Sequence, residues 1–109
     1  MTGMAAAPTE FETIRLAGAG VGLVADVYGE SGSSPVLLLH GGGQTRHAWG
    51  TAARALASAG RRAYSVDLRG HGNSDWSPDG IYGLDRFAAD VEAMATGLYA
   101  RPALVGNLR

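Results

Sequence analysis

The fold is decided by the stretch Val36-Leu-Leu-Leu-His-Gly-Gly-Gly-Gln44, in which four apolar residues lead through a histidine into three glycines. Four consecutive apolar residues are typical of a strand that is covered on both faces, as in a parallel sheet. Glycines directly after such a strand either let the backbone take unusual torsion angles or let its N–H groups come close to another molecule. Both explanations predict a functional site at the end of this strand.

The residues before this stretch predict an antiparallel hairpin. Residues 11–16 and 21–28 alternate apolar with polar side chains, and Gly18-Ala-Gly20 lies between them. Such alternation is typical of strands with one face in the core and one solvated face. We expect residues 1–9 to be a disordered leader and residues 10–109 to form one domain.

The residues after the glycines alternate between helix and strand patterns. Apolar residues recur at helical spacing from Trp49 to Leu56, and Gly60 stands where a helix commonly ends. Residues 62–67 predict the next strand, and residues 102–106 predict another buried strand. Between these strands, one apolar stripe predicts a second helix: Leu84, Phe87, Val91, Met94 and Leu98. A hairpin followed by strand–helix–strand–helix–strand predicts an α/β protein with a mostly parallel sheet.

The composition excludes several classes of function. The chain has 109 residues, a formal net charge of −1 and no cysteine. A charge this close to zero argues against nucleic acid or an anionic membrane as a partner, and disulfide or thiolate chemistry is unavailable. The three histidines show no metal-ligand spacing, so no metal site is predicted. Since neither a signal peptide nor a membrane-spanning apolar run is visible, we expect a cytoplasmic location and no membrane partner.

A dinucleotide-binding (Rossmann) unit would have a similar layout. A strand, a glycine loop, a helix and a second strand ending in Asp67 follow that order. However, Arg46 stands where the last glycine of G-x-G-x-x-G belongs, and close helix–strand packing there should exclude so large a side chain. The leading antiparallel hairpin is also foreign to that unit. We therefore expect no cofactor, and in particular no binding of NAD or FAD.

Two motifs together resemble the N-terminal half of the α/β-hydrolase fold. His40-Gly-Gly-Gly43 follows one buried strand, and Asp67-Leu-Arg-Gly-His-Gly-Asn-Ser74 follows the next. The first is similar to the family's oxyanion loop, whose backbone N–H groups stabilise the negative oxygen that forms during acyl transfer. The second is similar to the family's D-x-R-G-x-G-x-S turn. The resemblance covers residues 10–106 and implies that residues 10–109 form a partial domain of this fold. It also implies an activity like that of esterases, epoxide hydrolases, lactonases or cofactor-free haloperoxidases.

The resemblance also implies roles for single residues. Gly42 matches the position whose N–H points into the oxyanion hole, and Gly41 and Gly43 give it conformational freedom. His40 corresponds to a histidine that holds the loop by hydrogen bonds, and Asp67 is expected to bind Arg69 or the loop backbone. The structural residues implied for the two motifs are His40, Asp67, Arg69, Gly70, His71, Gly72 and Ser74.

The nucleophile that this family requires is not identifiable in the chain. The family carries it on a G-x-S-x-G turn after the fifth strand. Here Ala103-Leu-Val-Gly106 continues as Asn107-Leu-Arg109, so that Leu108 stands at the serine position. The acid and the histidine of the triad come later in the family. No catalytic residue is therefore predicted, and a small-molecule substrate is expected only if the missing half is supplied.

Three accounts of the missing nucleophile remain open. The favoured one is a truncated hydrolase, produced by a frameshift, an early stop or a gene-model error, and inactive alone. A second is a natural fragment that assembles with a partner supplying the other half, and a third is a non-catalytic binding module on the same scaffold. Because nothing lies outside the fifth strand, we also expect self-association through its exposed edge.

Overall fold

The computed structural model describes residues 10–41 and 44–106, which form a five-stranded mixed sheet with one helix on each face. Gly42, Gly43, Leu108 and the predicted leader lie outside the described residues. The strands are β1 (Phe11–Ala17), β2 (Gly22–Tyr28), β3 (Ser34–Leu39), β4 (Arg61–Val66) and β5 (Ala103–Gly106). The helices are α1 (Gly50–Ser58), which follows a 3₁₀ turn at Arg46–Trp49, and α2 (Leu84–Gly97).

The strand order is β1-β2-β4-β3-β5. β1 pairs with β2 and β2 with β4 in antiparallel fashion, whereas β3 is parallel to both β4 and β5. The predicted α/β class and the predicted element order are therefore confirmed. From β3 the chain passes to β4 on one side and then to β5 on the other, so the order reverses between β3 and β5. Ligands of open α/β sheets bind outside the carboxyl ends of the strands at such a point.

The alternation of side chains along β3 divides the core into two layers. Val36 and Leu38 pack with Ala53 of α1, whereas Leu37 packs on the opposite face with Met94 of α2. All five side chains are at most 3% exposed. Helix α1 ends at Ser58, shortly before Gly60, as predicted. Gly60 has a φ of +86°, which suits a residue that follows a helix. In the described part of the chain, neither helix is long and apolar enough to cross a bilayer.

Two predictions about burial are wrong. β2 has no solvated face, because Ala25 packs on one face in the same cluster as Met94 of α2, and Tyr28 packs on the other in the same cluster as Ala53 of α1. Asp26 is only 2% exposed. β5 is not buried: it is an edge strand of the described sheet, and its Leu104 and Val105 are 56% and 38% exposed. The apolar stripe of α2 is also incomplete at its first residue, Leu84, which is 75% exposed.

We expect the isolated chain to self-associate through the edge of β5. An exposed apolar strand edge offers unpaired backbone groups to a second copy, and a charge on that edge opposes such pairing. Leu104→Lys should therefore shift sedimentation-velocity profiles toward the monomer. Ala100→Lys, which adds the same charge at an exposed residue outside the strand, should not. A wild-type chain that sediments only as a monomer would contradict the prediction.

Candidate functional site

The candidate site lies at the carboxyl ends of β3, β4 and β5, where the sheet order reverses. A cavity of about 150 Å³ opens there between the strand ends and α2. Leu39 and His40 come from the end of β3, Leu68 follows β4, and Gly106 ends β5. The remaining wall comes from α2 and is apolar: Leu84, Phe87, Ala88 and Val91. The structure therefore brings the two sequence motifs to one place.

His40 connects the glycine loop to the turn after β4. Its side chain is buried, Nδ1 lies 2.8 Å from the Gly41 carbonyl oxygen, and Nε2 accepts the Leu68 N–H at 2.9 Å. Because Nε2 accepts, the neutral ring carries its proton on Nδ1 and donates it to Gly41. Burial lowers the pKa of His40, the Gly41 carbonyl partly offsets this, and the His71 ring, 4.9 Å away between centroids, lowers it further. Both nitrogens of His40 are engaged in holding the loop.

In the described part of the glycine loop (residues 40–46), Gly41 and Gln44 form hydrogen bonds with each other. The Gly41 N–H donates to Gln44 Oε1 at 3.0 Å, and the Gln44 N–H donates to the Gly41 carbonyl at 3.1 Å. The N–H of Gly41 is therefore engaged by the loop itself. Gly42 and Gly43, the other two residues of the predicted oxyanion hole, fall outside the described residues. The oxyanion role of the three glycines stays a prediction.

Asp67 organises the turn after β4. Its carboxylate is fully buried and accepts hydrogen bonds from the backbone N–H groups of Asn73 at 3.0 Å and Arg46 at 2.6 Å. Burial raises the pKa of Asp67, but these donors and the Arg46 guanidinium lower it more, so the pKa is below its usual value. Gly72 has a φ of +51°, and a Cβ on it would lie 2.3 Å from an Asp67 oxygen. Only glycine lets the turn wrap this closely around the carboxylate.

Arg69 binds Asp90 of α2 rather than Asp67. Both side chains are 1% exposed, and Nε and Nη2 of Arg69 each donate to a carboxylate oxygen at 2.7 Å. Arg69 also donates to Ser77 Oγ at 2.9 Å and to the Ala19 carbonyl at 3.0 Å. The expected contact of Asp67 is therefore the one to the loop backbone. Arg69 joins the turn to α2 and to the β1–β2 loop.

The other turn residues also form contacts within the fold. Ser74 Oγ donates to the Asp67 carbonyl at 2.5 Å and accepts the Val24 N–H at 2.8 Å, which connects the turn to β2. Gly70 has a φ of +79°, and a Cβ on it would lie 2.5 Å from the Tyr82 ring. His71 Nδ1 lies 3.0 Å from the Arg69 carbonyl oxygen. In residues 10–41 and 44–106, no cluster of His, Asp or Glu is arranged to hold a metal ion.

The buried charges around Arg46 were not predicted from the sequence. This guanidinium contacts Asp67 at 2.6 Å and Asp26 at 3.0 Å, and its side chain is 11% exposed. The available signal was Asp26 itself, since an acidic residue within the apolar strand Gly22–Tyr28 needs a buried partner. Close helix–strand packing would exclude Arg46 only from a dinucleotide-binding unit, in which a glycine occupies this position.

Residues 34–106 match a family model described as the alpha/beta hydrolase fold. The chain belongs to the α/β-hydrolase fold family. This match covers both motifs, so it favours the α/β-hydrolase fold over the dinucleotide-binding unit.

The relatives of this α/β-hydrolase chain have several activities. It is 50% identical over 52 residues, 47% of its length, to the esterase Rv0045c of Mycobacterium tuberculosis. It is 39% identical over 67 residues, 62% of its length, to the non-heme chloroperoxidase CPO-A1 of Kitasatospora aureofaciens. Among solved structures, an epoxide hydrolase of Vigna radiata superposes with a TM-score of 0.82 over 91% of the chain, at 28% identity.

The α/β-hydrolase chain is short beside these relatives. Its matches span 16% of the esterase, 24% of the chloroperoxidase and 32% of the epoxide hydrolase. The structure corresponds to the N-terminal part of the family fold.

We expect His40 to make the free energy of unfolding depend on pH. Because its folded-state pKa is lowered, the unfolded chain takes up the proton first as the pH falls. Stability from this group is complete above about pH 6.5, the unfolded pKa, and is lost below it. Urea unfolding from pH 8 to pH 5 measures this effect, and His40→Gln should weaken the dependence.

The control is His47→Gln, since the His47 side chain is 67% exposed. It should keep the wild-type dependence. A wild-type chain that is as stable at pH 5 as at pH 7.5 would contradict the assignment of His40.

Proposed function

We propose that this chain supplies the oxyanion-loop part of a hydrolase acting on an ester, epoxide or lactone, or of a haloperoxidase-like relative. The observation that carries the proposal is the hydrogen bond from the Leu68 N–H to His40 Nε2 at 2.9 Å. It holds the start of the glycine loop at the carboxyl ends of two parallel strands, beside the 150 Å³ cavity. A loop held in this way needs little reorganisation when negative charge develops on a substrate oxygen.

The relatives of the chain support this range of reactions. They include an esterase, a non-heme chloroperoxidase and an epoxide hydrolase, and the chain is similar to each over 47%, 62% and 91% of its length. Hydrolysis by this family's mechanism needs an activated nucleophile and a base. His40 has both ring nitrogens engaged, and Leu108 stands at the serine position. We therefore propose that the chain does not catalyse the reaction alone.

A non-catalytic binding module is the second candidate. One observation favours it, because the Gly41 N–H is bound to Gln44 Oε1 within the loop itself. An oxyanion loop has to offer N–H groups to a substrate oxygen. The two candidates differ in whether the loop supports turnover once a nucleophile is present.

The purified chain should show no turnover of a 4-nitrophenyl ester above background. A chimera tests the loop itself: residues 10–106 replace the corresponding N-terminal part of the fold in the Mycobacterium tuberculosis esterase, to which the chain is similar over 52 residues. The esterase supplies the rest of the enzyme. We expect the chimera to hydrolyse the ester. Gly42→Val in the chimera should lower kcat by about 10²-fold or more, as expected when an oxyanion contact is lost.

The matched control in the chimera is Gly97→Ala, since a Cβ on Gly97 meets no atom within 4 Å. It should leave kcat unchanged. A folded chimera without activity would favour the binding module. Ester turnover by the chain alone that Gly42→Val abolishes would contradict its proposed inactivity.

A further inference from the structure

Three charged side chains from separate elements meet next to the glycine loop. Asp26 lies in β2, Asp67 follows β4, and Arg46 begins the 3₁₀ turn three residues after Gly43. The two aspartates are 2% and 0% exposed, and the Arg46 side chain is 11% exposed. Two carboxylates therefore share one guanidinium in a place with little water. Removing the guanidinium would leave two buried negative charges without their common partner.

Arg46 contacts both carboxylates with its side chain. Nη1 donates to Asp67 Oδ2 at 2.6 Å and to Asn73 Oδ1 at 2.9 Å. Nε lies 3.0 Å from Asp26 Oδ1, an ion pair rather than a directed hydrogen bond. Thr13 Oγ1 also donates to Asp26 Oδ1, at 2.7 Å, which leaves Asp26 tied to β1 as well.

The backbone of Arg46 is held at the same place. Its N–H donates to Asp67 Oδ1 at 2.6 Å, and its carbonyl accepts a hydrogen bond from Ser65 Oγ of β4. The side chain of the next residue, His47, approaches Asp26 only to 4.0 Å and is 67% exposed. An exposed imidazole at that distance is a weak substitute for a buried guanidinium.

We propose that Arg46 is a positioning residue for the glycine loop. His40 holds the beginning of the loop on the turn after β4, and Arg46 holds its end on β2 and on the same turn. By neutralising Asp26 and Asp67 together, Arg46 fixes the end of the loop without contacting a substrate. The importance of this role for catalysis rests on the proposed function. The effect of Arg46 on the protection of the loop can be measured in the chain itself.

Amide hydrogen exchange of the full chain tests the proposal without any assay of catalysis. In Arg46→Met, exchange at Gly41, Gln44 and Asn73 should rise by about tenfold or more, relative to the change at Leu37 and Leu38 in the core strand. Arg54→Met is the matched control, because the ion pair of Arg54 with Glu10 is about half exposed on both sides. It should leave the exchange of the loop unchanged.

Two further variants separate positioning from general stability. Asp26→Asn combined with Arg46→Met removes one carboxylate together with the guanidinium, so it should restore part of the protection of the loop. Arg46→Lys keeps the charge but has one donor group instead of a fork, so its effect should be smaller than that of Arg46→Met. A uniform rise in exchange over the sheet, no change at the loop, or failure of all three variants to fold would overturn the proposal. A chimera that lacks esterase activity while the loop responds as expected would instead contradict only the proposed function.

Discussion

The arrangement of the site depends on the buried carboxylate of Asp67. A charge with no exposure to water must be compensated by donors from the protein. Here the donors come from both sides: the backbone N–H of Asn73 belongs to the turn, and the N–H and guanidinium of Arg46 belong to the end of the glycine loop. Satisfying one carboxylate therefore brings the two sequence motifs together. Gly72 makes this possible, because a side chain there would collide with the carboxylate.

Other contacts extend this arrangement into the sheet and to α2. The N–H of Asp67, which follows β4, donates to the carbonyl of Val24 in β2 at 2.8 Å. The Ser74 hydroxyl forms hydrogen bonds with the backbone of both residues. Arg69 and Asp90 then join the turn to α2 in a buried ion pair. Such pairs add little net stability, but removing one partner is costly because the other stays buried. The motif therefore fixes where the strands, the loop and α2 lie relative to one another.

The sequence predicted local features of this fold well. The apolar run of β3, the helical spacing after it and the glycine at residue 60 each depend on near neighbours, and the structure contains the elements they imply. The burial of β2 and the exposure of β5 were mispredicted, because both depend on where the strand lies in the sheet and on what packs against its faces. An alternating pattern shows the faces of a strand but not its place in the sheet.

The partners of the charged side chains were also beyond the sequence. Arg46 and Asp67 are 21 residues apart, as are Arg69 and Asp90, so neither ion pair is local enough for a sequence pattern to predict it. The fold resolves the choice, since the end of the glycine loop lies over Asp67 and α2 lies beside Arg69. An acidic residue in a buried strand, such as Asp26, indicates that a partner exists, but only the three-dimensional structure identifies that partner as Arg46.

His40 accepts a hydrogen bond from the turn after β4 and thereby joins the two motifs. Long-range ¹H–¹⁵N correlation spectra of the histidine ring near pH 7.5 test it most directly. We predict a neutral ring protonated on Nδ1, with an unprotonated Nε2 coupled to the Leu68 amide. A ring protonated on Nε2 would contradict this hydrogen bond, because that nitrogen could not then accept the Leu68 N–H.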